Sequence, residues 1–210
     1  MRHYDAVMVG GGPGGSIAGT FLAKAGKRVL ILERERFPRF HIGESLIPYG
    51  NDVLRDAGVW PKLEAAGFMR KPGAEFTLGN AKGSLRFWFG RNLPKAYAET
   101  FQVERAKFDA ILLDHARESG CEVASEAKAE SFQEDSEIIR LSYQQSGETF
   151  AISTDWVVDA SGRDTFVGKQ LGLPKSDLGL PKKFAVFAHF NNVLRYEGKA
   201  EGLISIVRLK

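Results

Sequence analysis

Ala6-Val7-Met8-Val9-Gly10-Gly11-Gly12-Pro13-Gly14-Gly15-Ser16 is the stretch that decides the fold. Four apolar residues bounded by glycine read as a strand buried on both faces, the habit of a parallel sheet. Beyond the glycines, Ile17, Ala18, Phe21, Leu22 and Ala25 recur at helical spacing, and Gly26 stands where a C-cap belongs. Val29-Leu30-Ile31-Leu32 reads as a second buried strand, completing a β-α-β unit with a right-handed crossover. Set between strand and helix, Gly10-x-Gly12-x-x-Gly15 permits a tight turn, close approach to a pyrophosphate and tight helix-strand packing. The helix N-terminus then faces the phosphates with unpaired N–H groups and partial positive charge. Glu33, at the end of the second strand, is placed to accept hydrogen bonds from ribose hydroxyls, and its charge disfavours a 2′-phosphate. A glycine-rich turn beside a solvated Glu is the plain alternative.

Outward from this unit, a basic connector over residues 34–41 precedes an expected helix over 45–56 and a shorter one over 60–66. The character changes over 70–103. Phe76 and Leu78, a turn at Asn80-Ala81-Lys82-Gly83, and Leu85-Arg86-Phe87-Trp88-Phe89 read as antiparallel strands of an inserted sheet. Helical spacing returns over 104–119 through Phe108, Ile111, Leu112 and His115, followed by a short strand at 122–124. Residues 138–143 and 149–153 alternate across Ser146-Gly147 like a hairpin. Trp156-Val157-Val158 reads as another short strand running into Asp159, and 183–193 and 203–209 as two more. The expected class is α/β, a Rossmann-type βαβ core with an inserted, mostly antiparallel β-sheet lobe.

Composition narrows the function classes. In 210 residues, 29 Lys+Arg are scattered among 26 Asp+Glu with no long basic block, so nucleic acid is not an expected partner. A single cysteine, Cys121, excludes an internal disulfide and a cysteine metal cluster, and points to a reducing cytoplasm. The four histidines are dispersed, so no metal site is expected. No apolar run has membrane-spanning length and no signal sequence opens the chain, so a soluble protein away from the membrane is expected.

Taken together, Gly10-Gly11-Gly12-Pro13-Gly14-Gly15-Ser16, Glu33-Arg34, Phe37-Pro38-Arg39-Phe40-His41-Ile42-Gly43-Glu44-Ser45-Leu46-Ile47-Pro48 and Asp159-Ala160-Ser161-Gly162 resemble the flavin-dependent halogenases. The Arg-x-x-Ile-Gly-Glu-Ser segment is the more discriminating piece, because geranylgeranyl reductases and aromatic hydroxylases share the glycine fingerprint and the Asp-Ala-x-Gly strand end. The resemblance implies FAD as cofactor. Gly10, Gly12, Pro13, Gly14, Gly15, Ser16, Glu33 and Arg34 would hold its ADP half, and Arg39, Gly43, Glu44 and Ser45 would line the flavin pocket. Arg105, in Val103-Glu104-Arg105-x-x-Phe108-Asp109, matches an arginine that reaches the cofactor, with a solvated first-turn residue as its alternative. Asp159 and Gly162 would sit where the sheet closes against adenine and pyrophosphate.

Lys71, in Gly67-Phe68-Met69-Arg70-Lys71-Pro72-Gly73, matches the segment supplying the catalytic lysine that separates flavin from aromatic substrate in those enzymes. Its ammonium would hydrogen-bond hypochlorous acid, or its amine would form a chloramine, steering electrophilic chlorine to one ring carbon. An ordinary surface lysine is the competing reading. His189 is expected as a hydrogen-bonded core or interface histidine, Cys121 as a small buried hydrophobe, and Phe87, Trp88 and Phe89 as packing for the inserted sheet.

The implied system is two-component: a flavin reductase supplies reduced FAD, and oxygen and halide act on an electron-rich aromatic, free or carrier-protein-bound. The resemblance covers the N-terminal half of the family's usual length. The later Trp-x-Trp-x-Ile-Pro and Gly-Asp motifs are not in the sequence, so an incomplete FAD-binding domain over 1–210 is expected. Its Rossmann-type core would span 1–69 and 104–172, with 70–103 and 183–210 in a substrate-side sheet. A non-halogenating FAD-dependent reductase or monooxygenase, and a non-catalytic nucleotide-binding fragment, are the alternatives.

Overall fold

In a computed structural model, residues 1–77, 83–135, 138–176, 179–181 and 183–208 are described. Along the chain run β1 (Arg2–Val9), α1 (Pro13–Lys24), β2 (Val29–Glu33), α2 (Gly50–Asp56), α3 (Trp60–Ala65), β3 (Met69–Lys71), β4 (Gly73–Thr77) and β5 (Ser84–Trp88). They are followed by α4 (Phe89–Asn92), β6 (Thr100–Gln102), α5 (Arg105–Glu118), β7 (Glu122–Ser125), β8 (Ala127–Asp135), β9 (Ile138–Gln145), β10 (Glu148–Asp159), α6 (Phe166–Gln170) and β11 (Ile204–Val207).

The main sheet has the order β7-β2-β1-β10-β9-β8. Strands β7, β2, β1 and β10 run parallel, whereas β10, β9 and β8 form an antiparallel meander. Period-2 side-chain alternation divides the core across this sheet. Ala6, Met8, Val29 and Ile31 point to one side, against Leu113 and Ala116 of α5 and Cys121. Val7, Val9, Leu30 and Leu32 point to the other, where Ala127, Leu141 and Ile152 of the meander pack on them. A third cluster joins Leu54, Val59 and Leu63 to Phe101, Val103, Phe108 and Leu112. Each fully buried Leu or Val in these clusters contributes about 1.5–3 kcal/mol of transfer free energy.

The β-α-β unit forms as its pattern dictates. α1 starts at Pro13 behind an extended Gly12 and ends with Gly26 at φ +79, the left-handed position that stops the helix. The hairpin also forms as read, with Ser146 and Gly147 both at positive φ as a two-residue turn between twisted strands requires. Trp156-Val157-Val158, however, is not a separate strand. It continues β10, which pairs with β9 through its first half and with β1 through its second.

Three other expectations are corrected. The helix expected over 45–56 begins only at Gly50. Pro48 disfavours helical backbone at the residue before it, and the preceding segment has extended bonds elsewhere. The Leu46 N–H donates to Phe101 O, and the Val103 N–H donates to Glu44 O. Residues 183–193 form no strand. Their apolar side chains are largely exposed, Phe184 at 91% and Val186 at 87%, so the alternation packs on no sheet face. His189 is exposed rather than in the core, edge-on to Phe40 and Phe187 with ring centroids 6.2 Å away in each case.

The inserted region makes two small sheets, β11-β4-β5 and β3-β6. β4 pairs antiparallel with β5, and β3 with β6, while β11 joins β4 in parallel. Phe89 opens α4 instead of extending β5 and is buried, whereas Phe87 is exposed. The turn expected at 80–83 lies, apart from Gly83, outside the described residues, as does Leu209 at the end of the last expected strand. No described helix is long and apolar enough to cross a membrane.

Candidate functional site

At the carboxyl ends of β1, β2 and β10 the strand ends and the start of α1 enclose a groove with a volume of about 870 Å³. This is where an open parallel sheet places its ligands. Gly10 and Gly15 are required for packing. A Cβ on Gly10, at φ +114, would lie 2.4 Å from Ala160 O, and one on Gly15 would lie 1.9 Å from Gly10 O. Gly12 and Gly14 serve a different need. A Cβ on Gly14 meets nothing within 4 Å and one on Gly12 only Arg39 Nη2 at 3.4 Å, so these two glycines keep the mouth of the groove open. Pro13 has no N–H, and those of Gly14 and Gly15 have no upstream helical carbonyl to bond. The first turn of α1 carries no acidic residue and no side-chain cap, leaving its positive end directed at the groove.

Glu33 is 4% exposed, which removes the solvated-Glu reading. Its Oε2 accepts from the Gly11 N–H at 2.8 Å and its Oε1 from the Glu35 N–H at 2.8 Å. The carboxylate thus ties the glycine loop to the end of β2, with a second lone pair on each oxygen left for a ribose hydroxyl. Ser16 lies behind the loop, wholly buried, its hydroxyl donating to Gly11 O at 2.9 Å. Arg34 reaches across to form an ion pair with Asp164.

On the opposite wall, Asp159 organises the turn after β10. Its carboxylate accepts from Ser161 Oγ, the Ser161 N–H and the Val167 N–H. Burial pushes its pKa up, but the Ser161 hydroxyl and these N–H groups outweigh that and hold it below the ordinary aspartate value. Gly162, at φ +65, and Thr165, at φ +46, complete the turn. The Thr165 hydroxyl is buried at the groove without a protein partner.

Arg39 and Arg105 line the groove together, held by a residue the sequence reading did not single out. Asp109 is wholly buried, and its carboxylate accepts from Arg105 Nε at 2.7 Å, Arg105 Nη2 at 2.8 Å and Arg39 Nη1 at 3.2 Å. Arg105 Nη1 donates onward to Ile42 O at 2.9 Å. Its side chain is 11% exposed, so it is not a solvated first-turn residue. The i,i+4 spacing of Arg105 and Asp109 on an otherwise apolar helix face was the available signal. The other unforeseen wall is the start of β8, where Ala127, Lys128 and Ala129 close the far end.

Gly43, Glu44, Ser45 and Lys71 lie outside this groove's lining, in an adjoining layer. Gly43 takes φ +112 beside Arg105, and Ser45 bridges to Gln102 with its hydroxyl buried and unpartnered. Lys71, on β3, is 5% exposed, so the surface-lysine reading is removed. Its Nζ donates to Leu46 O at 2.7 Å and lies 5.5 Å from the centre of the Phe89 ring, and burial lowers its pKa from the ordinary lysine value. Cys121 is buried as expected, its thiol pushed up to about 11 by desolvation. Among the described residues, no group of acidic, histidine or cysteine side chains could hold a metal ion.

The groove therefore fits FAD. An uncapped helix end and two unobstructed glycines could receive a pyrophosphate, Glu33 and Arg34 line the groove where a ribose would lie, and the Thr165 hydroxyl has no protein partner.

The comparisons agree with this geometry. The chain is 35% identical over 209 residues to a 1H-pyrrole-2-carbonyl-[peptidyl-carrier protein] chlorinase of Pseudomonas fluorescens, the alignment covering 91% of this chain and 46% of that protein. The chain thus spans about half the length of the curated relatives it matches. A flavoprotein/dehydrogenase from Cytophaga hutchinsonii superposes with TM-score 0.79 at 31% identity, covering 83% of this chain and 43% of that one. The myxobacterial chondrochloren halogenase CndH superposes with TM-score 0.74 at 35% identity, covering 79% and 39%. Since the FAD binding domain family model also matches residues 3–193, the chain belongs to the FAD-binding domain family.

Proposed function

We propose that this chain is the FAD-holding part of a flavin-dependent halogenase acting on an electron-rich aromatic acyl group carried by a protein. The observation that carries the reading is Lys71, a buried amine of lowered pKa beside the 43–46 segment, in a chain 35% identical to a carrier-bound pyrrole chlorinase. Bound and reduced, FAD supplies the electrons for oxygen to convert halide into an electrophilic halogen species. The protein's own residues bind, orient and exclude water. Gly10, Gly12, Pro13, Gly14, Gly15 and Ser16 shape and back the pyrophosphate seat, and Glu33 and Arg34 take the adenosine end. Asp159 and Gly162 form the facing wall. Arg39 and Arg105 set the position of the connector that carries Gly43, Glu44 and Ser45 toward the flavin ring. Lys71 is the catalytic residue, holding the electrophile by hydrogen bond or covalently at its amine. A separate flavin reductase is the expected partner, and the cytoplasm the setting that a lone, buried thiol favours.

A second reading, a non-halogenating flavin oxidoreductase, is favoured by the likeness to the Cytophaga flavoprotein/dehydrogenase. Flavin fluorescence titration with ADP as competitor tests the cofactor role, and Gly12→Val is expected to abolish binding in a folded chain. Lys71→Ala is expected to keep FAD binding and lose halogenated product. An unchanged yield from Lys71→Ala removes the halogenase role for that residue.

A further inference from the structure

Charge is not evenly spread over this nearly balanced chain. Between Glu75 and Glu99 stand Lys82, Arg86, Arg91 and Lys95, and not one acidic residue. Arg86 is neutralised, since its Nε donates to the buried Glu75 carboxylate at 2.8 Å. Arg91 and Lys95 are exposed and make no ion pair among the described residues. Lys199 belongs to the other face of β5, its Nζ 5.7 Å from the centre of the Trp88 ring, and adds nothing to this one.

This basic face carries apolar anchors. β5 is the edge strand of its sheet, and on it Leu85 is 71% and Phe87 39% exposed. Cations around exposed aromatic and aliphatic side chains are the composition of a protein-docking surface, not of a solvated face. The face is also contiguous with the candidate catalytic lysine. Phe87 meets Phe89 edge-on with centroids 6.1 Å apart, and the Phe89 ring is the one 5.5 Å from Lys71 Nζ. Arg91 lies two residues further along the same short helix, α4.

From these positions we infer that the surface formed by Leu85, Phe87, Arg91 and Lys95 docks an acidic carrier domain, which presents its thioester-linked aromatic acyl group toward Lys71. The inference rests on the halogenase reading and specifies how its substrate arrives. Cations at the rim of such a surface speed encounter and select an acidic partner, while the apolar centre holds it. Docking forms no covalent bond, so it requires no co-reactant.

The test titrates the FAD-loaded 210-residue chain into a fluorescently labelled peptidyl carrier domain bearing a pyrrole-2-carbonyl thioester, with FAD binding read in the same samples. Saturable binding that weakens as salt is raised is expected. The double variant Arg91→Glu, Lys95→Glu should weaken it by about tenfold with FAD affinity unchanged, whereas Lys27→Glu, in the turn after α1, should leave it as it was. Reversing acidic residues on the carrier should restore binding to the double variant. Carrier binding that is absent, salt-independent or indifferent to Arg91 and Lys95 overturns the inference. The halogenase reading fails separately, through loss of FAD binding or through a carrier that binds but whose pyrrole comes back unhalogenated when reduced FAD, oxygen and halide are supplied.

Discussion

Asp109 holds Arg105 in a two-pronged ion pair, Nε to Oδ1 at 2.7 Å and Nη2 to Oδ2 at 2.8 Å, with the carboxylate wholly buried and the guanidinium 11% exposed. Through Arg105 Nη1 the same pair reaches the Ile42 carbonyl, and through Oδ2 it reaches Arg39. One carboxylate thereby joins α5 to the connector that passes the groove.

Removing that carboxylate leaves two largely buried guanidinium groups without their shared counter-charge. Asp109→Ala is expected to lower stability by about 3–5 kcal/mol, measured by urea unfolding, and to weaken FAD binding as the connector loosens. Unfolding at the wild-type midpoint would show that the arginines find other partners.

The glycine loop predicts a contrast between two substitutions that lie close in sequence but differ in effect. Gly15→Ala places a Cβ 1.9 Å from the Gly10 carbonyl and should lower the melting temperature sharply or prevent folding. Gly12→Val, which meets only the Arg39 guanidinium at 3.4 Å, should melt near the wild type while losing FAD affinity. Thermal melts paired with flavin titration separate the two.

Glu75 ties β4 to β5, β11 and the segment before them, accepting from Arg86 Nε, Ser84 Oγ, Tyr196 OH and Ser205 Oγ at 2.8–3.1 Å. Led by Arg86, these donors hold its pKa at about 2, below the ordinary 4.5. A carboxylate with a depressed folded-state pKa contributes stability that is complete above its unfolded value and lost as pH falls from about 4.5 to about 2. Glu75→Gln should therefore flatten the acid side of the stability-pH curve over that window. An unchanged acid limb in denaturation from pH 6 downward, taken in steps of about one unit, would assign it to other carboxylates.

Cys121 is 4% exposed with its thiol pushed up to about 11, so very little thiolate forms near neutrality. Labelling by a thiol reagent should be slow in the native chain and fast in urea. Rapid native labelling would mean that the α5-β7 junction opens readily.

Much of this was legible in the order of residues, for a local reason. The Ala6–Val9 and Val29–Leu32 runs, the helical spacing after Gly15 and the Ser146-Gly147 turn each encode their own geometry within a few residues, and each formed as read. The glycine fingerprint likewise sits on one turn, so its place at the groove followed from the strand before it and the helix after it. What required the folded chain was every feature made by residues far apart in sequence. Whether residues 183–193 found a strand partner depended on packing against distant segments, and extended backbone at 44–46 depended on β6 lying alongside. That Asp109 grips Arg39 across 70 positions, that Lys71 is buried under the Leu46 carbonyl, and that Glu75 gathers four donors from three segments are likewise decided by packing. Sequence by itself specified the local dihedral and burial patterns, whose energies depend on near neighbours. Tertiary structure decided which charges meet, because the cost of burying each one is met only when a partner from elsewhere in the chain arrives beside it.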